Sequence, residues 1–317
     1  MDTLVFGHKS PDTDSTGSAI LWAWYLTQIK KLSATAKLLG EPNTEAAFVL
    51  DFWGISKPAV LSTLERNTPV VIVDTNNPDE LPENINDCRI LEIIDHHKWV
   101  GGLITKEIAN VTVRPLGCTA TLMIELMGKT AADQMPRALK GLALSCILSD
   151  TISFKSPTTT AQDRNVAEKL LADLCIDMAD YANQMFAAKS DVSGVSDQRL
   201  LTLDCKDYVI AGKKYRLAML ETQTPEALLN RREGIKAAIN AVPASVDINQ
   251  MLVFIVDIVK EEAILLLQDA QAKKLAECAF GEAPQDDTMV LPGILSRKKQ
   301  IVPALHRVHD KGFERAA

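Results

Sequence analysis

The stretch Leu4-Val5-Phe6-Gly7-His8-Lys9-Ser10-Pro11-Asp12-Thr13-Asp14-Ser15 decides how the rest of the chain is read. Leu4 to Gly7 is a short apolar run of strand type, a polar loop follows, and Ser15 to Lys31 carries apolar residues at helical spacing. Pro11 keeps Ser10 out of helical dihedrals, so the loop stays extended through the acidic pair. Residues two apart in an extended segment project to one side, which lets Asp12 and Asp14 serve one site or two adjacent ions. Asp14 or Ser15 could instead be only a helix N-cap, but that reading accounts for one acid and not for His8 plus two.

Working outward, Ala46 to Phe52, Val70 to Asp74 and Arg89 to Asp95 also read as strands. Pro69-Val70-Val71-Ile72-Val73 is nearly continuous in β-branched residues, the pattern of a strand covered on both faces in a parallel sheet. Gly117 to Gly128, Arg137 to Leu148 and Ala161 to Cys175 have helical periodicity. Strand alternating with helix predicts an α/β fold with a doubly wound, mostly parallel sheet. The small, polar segment from Lys189 to Asp197 lacks periodicity and reads as a linker. Beyond it, Leu200 to Ile210, the turn Ala211-Gly212-Lys213-Lys214 and Tyr215 to Glu221 suggest a hairpin. Pro225 to Ala241 suggests a helix, and Met251 to Val259 with Ala263 to Leu267 two more strands. The expected organisation is a domain over 1–189, a hinge over 190–197, and a smaller mixed α/β domain over 198–317.

Composition narrows the function. Of 317 residues 47% are hydrophobic and 24% charged, ordinary for a globular chain. Lys and Arg number 34 against 41 Asp and Glu, a net charge of −7 that argues against a general nucleic-acid binder. No apolar run is long enough to span a bilayer, and Met1 to Phe6 lacks the cationic start of a signal peptide, so a cytoplasmic protein is expected. The six cysteines form no CxxC pair and are expected to be reduced and mostly buried.

In an open α/β sheet, ligands gather beyond the carboxyl ends of the strands. Three such ends would bring together His8, Asp12, Asp14, Asp74, Asp95, His96 and His97, and the apolar run Leu144 to Leu148 leads into Ser149-Asp150-Thr151. Singly, each acid is more simply a turn or cap residue. Jointly, unpaired carboxylates crowded at one sheet edge repel one another unless cations sit among them. Oxygen donors with a minority of imidazole favour Mn²⁺ or Mg²⁺ over thiolate-loving zinc, and two ions sharing a carboxylate is the economical arrangement.

These motifs, with Phe154-Lys155-Ser156-Pro157-Thr158 and Ser296-Arg297-Lys298-Lys299-Gln300-Ile301-Val302-Pro303, resemble in order and spacing those of the DHH phosphoesterase superfamily, and within it the manganese-dependent family II inorganic pyrophosphatases. The resemblance extends from residue 4 to about residue 305. Ser10 departs from it, since the family commonly carries Asn there. The GGGH-type motif of nucleic-acid-cleaving relatives is missing, which leaves an exopolyphosphatase-like activity and a non-catalytic phosphate binder as the nearer rivals.

By matching positions, the resemblance implies one metal held by His8, Asp12 and Asp74 and a second held by Asp14, Asp74, His96 and Asp150, with Asp74 bridging. It implies two Mn²⁺, with Co²⁺ or Mg²⁺ as substitutes and further Mg²⁺ arriving with pyrophosphate. His97, Lys206, Arg297 and Lys298 would bind the substrate, with His97, Asp14 and Lys206 in catalytic roles and Asp95 orienting a neighbouring imidazole. The implied reaction is hydrolysis to two phosphates by a metal-bridging hydroxide, in a cleft between the domains, by a homodimer joined through the N-terminal domain. His306 and His309, and the Lys213-Lys214 turn, are read as solvated surface, and Trp22 and Trp24 as packing.

Overall fold

The first strand, β1 (Thr3–Phe6), stops where Gly7 lets the chain pass close against its own following helix. A Cβ at Gly7 would stand 2.0 Å from Ser15 Oγ, and the His8 N–H donates to that oxygen at 3.1 Å. The computed structural model describes residues 2–242 and 248–310. Helix α1 (Thr13–Trp24) is capped by Asp12, which accepts from the Ser15 N–H at 2.9 Å, so the cap is neither Asp14 nor Ser15. Asp14 consequently lies inside the first helical turn and not in an extended segment.

Next come β2 (Ala34–Ala36), α2 (Thr44–Phe52), β3 (Pro69–Val73), β4 (Arg89–Asp95) and β5 (Asn110–Val113). Residues 46 to 52, expected as a strand, are therefore helical. Asn43 caps them by accepting from the Ala46 N–H, and Ala46, Val49 and Leu50 form a buried stripe at helical spacing. The helices α3 (Thr119–Asp133), α4 (Arg137–Thr151), α5 (Ala161–Leu174) and α6 (Met178–Ser190) follow. The five strands are all parallel in the order β2-β1-β3-β4-β5, and β3 is buried at every position. The order reverses between β1 and β3, the switch point at which such sheets bind ligands.

Helix α4 passes very close to Trp53. A Cβ at Gly141 would lie 2.2 Å from the indole, which is fixed by donating to Tyr181 Oη at 2.7 Å and to Ser145 Oγ at 3.2 Å. Gly141→Ala is expected to destabilise the protein by about 2–3 kcal/mol through overpacking. Urea unfolding measures this, and an unchanged midpoint would contradict the contact.

The chain divides into two compact units, Met1–Ala188 and Lys189–Ala317. In the second, α7 (Asp197–Leu200) precedes the hairpin β6 (Cys205–Ile210) and β7 (Lys213–Thr222), whose turn places Ala211 and Gly212 at φ 50° and 78°. Then follow α8 (Pro225–Leu229), α9 (Arg232–Asn240), β8 (Gln250–Asp257), β9 (Glu262–Leu266), α10 (Ala270–Phe280), β10 (Thr288–Pro292) and α11 (Val302–Asp310). The sheet order is β10-β9-β8-β7-β6, with β7 and β8 parallel and the other pairs antiparallel. The single helix expected over 225–241 is thus two helices, interrupted around Arg231. That guanidinium donates to Val192 O, Val195 O and Asp197 Oδ1, and Val192 joins the hydrophobic core of this unit.

The expectations for surface, cysteine and tryptophan residues hold in part. His309 meets the Tyr215 hydroxyl at 2.7 Å, and Lys214 lies 3.3 Å from Asp207 Oδ2. Only Cys88, Cys118 and Cys146 are buried, whereas Cys175 and Cys278 are exposed. Trp22 does pack, but its indole N–H also donates to Glu92 at 2.7 Å.

Candidate metal centre and phosphate-binding residues

Asp74 follows β3 directly and sits at φ 56°, left-handed backbone that few non-glycine residues adopt. Its N–H still donates to Ile94 O at 2.9 Å, so pairing with the β4 strand holds the strained residue in place. The carboxylate thereby joins three groups of donors: His8, Asp12 and Asp74; Asp14, Asp74, His96 and Asp150; and Asp74, His96 and His97. Within each group the donor atoms lie within 4.8 Å of one another.

The spacing is informative. His8 Nε2 lies 3.5 Å from both Asp12 Oδ2 and Asp74 Oδ2, and His96 Nε2 lies 3.5 Å from both Asp74 Oδ1 and Asp150 Oδ2. These separations are long for hydrogen bonds, but two donors each about 2.1 Å from a shared ion stand roughly 3.0–3.6 Å apart. His96 Nδ1 lies 3.0 Å from Leu116 O, which puts the ring hydrogen on Nδ1 and turns the Nε2 lone pair toward the two carboxylates. A lone pair facing two anions is repulsive in an empty site and attractive around a divalent cation. The donor set therefore fits a pair of hard ions.

Asp14 is steered from a distant part of the chain. It accepts from the Thr119 N–H at 2.7 Å, the Ala120 N–H at 3.2 Å and Ser18 Oγ at 2.9 Å, which places it on the N-terminus of α3. Thr119 Oγ1 also donates to Asp74 at 3.0 Å, so one residue orients two carboxylates. Asp163, itself fully buried, accepts from the Gly117 N–H and Thr121 Oγ1 and fixes the start of that helix.

His97 is held by its neighbour. Asp95 Oδ1 accepts from the His97 N–H at 3.0 Å and lies 2.8 Å from His97 Nδ1, while Asn76 donates to Asp95 Oδ2 at 2.5 Å. Asp95 thus orients an imidazole, as expected, with Asn76 as its own support.

Burial pushes the Asp14 carboxyl above its ordinary range, and the Asp12 charge adds to this against the donors around it. Burial and then the Asp14 charge push Asp74 well above that range. A carboxyl raised on folding contributes stability at low pH and loses it as pH rises through the raised value. The metal-free protein should therefore lose stability as pH rises above the ordinary carboxylate range, and the gain in Tm on adding Mn²⁺ should grow over the same interval. Thermal melts with and without EDTA measure both, and a metal-induced shift that stays constant with pH would contradict the crowding.

The second unit carries the three cations expected to bind phosphate, and each is positioned within that unit. Lys206 lies on β6 opposite Leu217, and Arg297 and Lys298 open a wide π-helical turn, Arg297–Ile301. Ser296 caps this turn by accepting from the Lys299 N–H at 3.3 Å, and Gln300 folds back to accept from the N–H groups of Leu295 and Ser296. Arg297 is engaged within its own unit, donating to Asp204 Oδ1 at 2.5 Å, Asp204 O at 3.2 Å and Leu217 O at 3.0 Å. Burial opposes its charge, but the Asp204 carboxylate outweighs that and keeps the guanidinium protonated.

Residues 2–148 match the model of the DHH family, N-terminal domain, and residues 183–308 match the DHHA2 domain. The manganese-dependent inorganic pyrophosphatase of Bacillus subtilis is 33% identical over 303 residues, covering 95% of this chain and 97% of that one. A Bacillus pumilus protein named as a probable manganese-dependent inorganic pyrophosphatase is 36% identical over 304 residues, covering 96% and 97%. The chain belongs to the manganese-dependent inorganic pyrophosphatase family. Its fold is that of a solved Methanococcus jannaschii chain assigned to the family II inorganic pyrophosphatases, with a TM-score of 0.84, 31% identity, and coverage of 97% of this chain and 99% of that one. An exopolyphosphatase-related protein of Bacteroides fragilis shares the fold at a TM-score of 0.52 and 15% identity.

Within this family member, several supporting residues carried no legible sign in the sequence. Thr119, Asp163 and Asp204 lie far along the chain from the groups they hold, and each is an ordinary polar residue taken alone. Asn76 stood inside a quoted motif, yet its contact with Asp95 depends on β3 and β4 being neighbours.

Proposed function

We propose that this protein hydrolyses pyrophosphate to two phosphates at a centre of two Mn²⁺ ions. The observation that carries the reading is the shared position of Asp74, which belongs to a His8 group and a His96 group at once. His8, Asp12 and Asp74 hold one ion, and Asp14, Asp74, His96 and Asp150 the other. Bound divalent ions supply Lewis acidity and a water acidic enough to act as nucleophile near neutral pH. Co²⁺ or Mg²⁺ can substitute, and further Mg²⁺ enters with the substrate.

The protein groups do the rest. His97, with Nδ1 tied to Asp95, offers Nε2 to a phosphate oxygen. Lys206 and Lys298 act as point charges, and Arg297 adds a directional donor, so that the three to four negative charges of pyrophosphate are neutralised. Asp14 carries a catalytic role through its ion and not by touching the substrate. Residues 1–189 form the metal-binding catalytic domain and 198–317 the substrate-binding domain.

A homodimer through the first unit is supported by β5, an edge strand where Val111 is half exposed, and by exposed Ile104 and Ile108 in the preceding loop. A cytoplasmic setting is supported by the six free thiols. The deciding assay compares phosphate release from pyrophosphate, from longer polyphosphate and nucleotide release from a dinucleotide, with Mn²⁺ and Mg²⁺ varied separately. Faster turnover of either alternative substrate would overturn the assignment.

A further inference from the structure

Two residues flanking the proposed ligands send their hydroxyls to one and the same atom. Thr13, between Asp12 and Asp14, donates from Oγ1 to Glu45 Oε2 at 2.8 Å. Ser149, immediately before Asp150, donates from Oγ to that oxygen at 2.6 Å. Glu45 is fully buried and comes from a third element, the first turn of α2. It belongs to none of the three donor groups around Asp74. Helices α1 and α4 already lie in close contact here, with Cys146 Sγ 3.3 Å from Thr13 O and no room for a Cβ at Gly17.

We propose that Glu45 is a positioning residue for the metal centre, fixing the start of α1, with Asp12 and Asp14, against the end of α4, with Asp150. The proposal rests on the two-ion reading above and assigns a role to a residue outside the ligand set. The geometry is the reason: one buried oxygen that accepts from the residue between Asp12 and Asp14 and from the residue before Asp150 sets the spacing of ligands carried by two different helices.

Equilibrium Mn²⁺ binding, read from the electron paramagnetic resonance signal of the free ion, tests this on the wild type, Glu45→Gln, Glu45→Ala and Ser149→Ala. Wild type should bind two ions. Glu45→Ala should weaken binding about 10- to 100-fold, the usual cost of removing a group that supports a ligand. Glu45→Gln, which keeps an acceptor oxygen, should lose less. Ser149→Ala should weaken one ion and leave the other near its wild-type affinity, because only Asp150 loses its tether. Should Glu45→Ala not fold, Ser149→Ala with Thr13→Val decides the matter. A lowered Tm of the metal-free variants with unchanged Mn²⁺ affinity would mean that Glu45 only supports the fold, and would overturn the proposal. A wild type that binds no Mn²⁺ would instead overturn the two-ion reading, and this one with it.

Discussion

Asp74→Asn should abolish most pyrophosphate hydrolysis while making the metal-free protein no less stable than the wild type. Loss of a group that merely supports a metal ligand costs about 10- to 100-fold, and Asp74 is shared by all three donor groups, so turnover should fall beyond that range. The fold should survive for two reasons. Asparagine tolerates left-handed backbone better than most residues, and Asp74 sits at φ 56°. Burial and the Asp14 charge work against the ionised carboxylate, so the amide removes an unfavourable term whenever the ions are absent. Steady-state phosphate release, Mn²⁺ titration and melts in EDTA measure the three parts. Retained activity, or a large loss of metal-free stability, would mean that Asp74 holds the structure and not the ions.

Arg297→Ala should harm both the substrate step and the second unit. Its guanidinium makes three contacts with Asp204 and Leu217, and its side chain is only 10% exposed. Breaking a buried ion pair costs about 3–5 kcal/mol, but Asp204 keeps access to water, so about 2–3 kcal/mol is expected. The KM for pyrophosphate should rise about tenfold or more, since one charged donor to phosphate is worth at least about 1.4 kcal/mol. Arg297→Lys should recover part of the KM effect but little stability, because one ammonium cannot span a carboxylate and two carbonyls in the guanidinium's fixed geometry. A variant with unchanged melting and unchanged KM would remove Arg297 from both roles. Asp204→Ala separates them further: it should reproduce the stability loss while leaving the cation present.

The candidate donors other than Asp14 were legible because each follows a strand or lies near the end of a helix with its own local signature. Pro69 to Val73 announced a buried parallel strand, and Asp74 had to follow it. His8 and Asp12 had to follow Leu4 to Gly7 for the same reason. The errors have local causes too. Ala46 to Phe52 is apolar enough to read as a strand, and its identity rested on Asn43 and the acidic first turn, signals outvoted by composition. The short edge strands β2 and β5 are half-exposed and carry no continuous apolar run, so period and hydrophobicity had nothing to report. Arg231 gave no sign that it would divide one helical stretch and bind the segment expected as a linker.

Local order along the chain thus specified which residues could ligate ions, because strand, loop and helix propensities act over a few neighbours and deliver a side chain to a known end of an element. It could not specify how those side chains are supported. Thr119 reaches Asp14 across 105 positions and Ser149 reaches Glu45 across 104, and such contacts exist only once the sheet order and the packing of α1 on α4 have been settled. Ligand identity is a matter of short-range chemistry. The rigidity that makes those ligands a site comes from buried hydrogen bonds between elements, and these form only when the core closes.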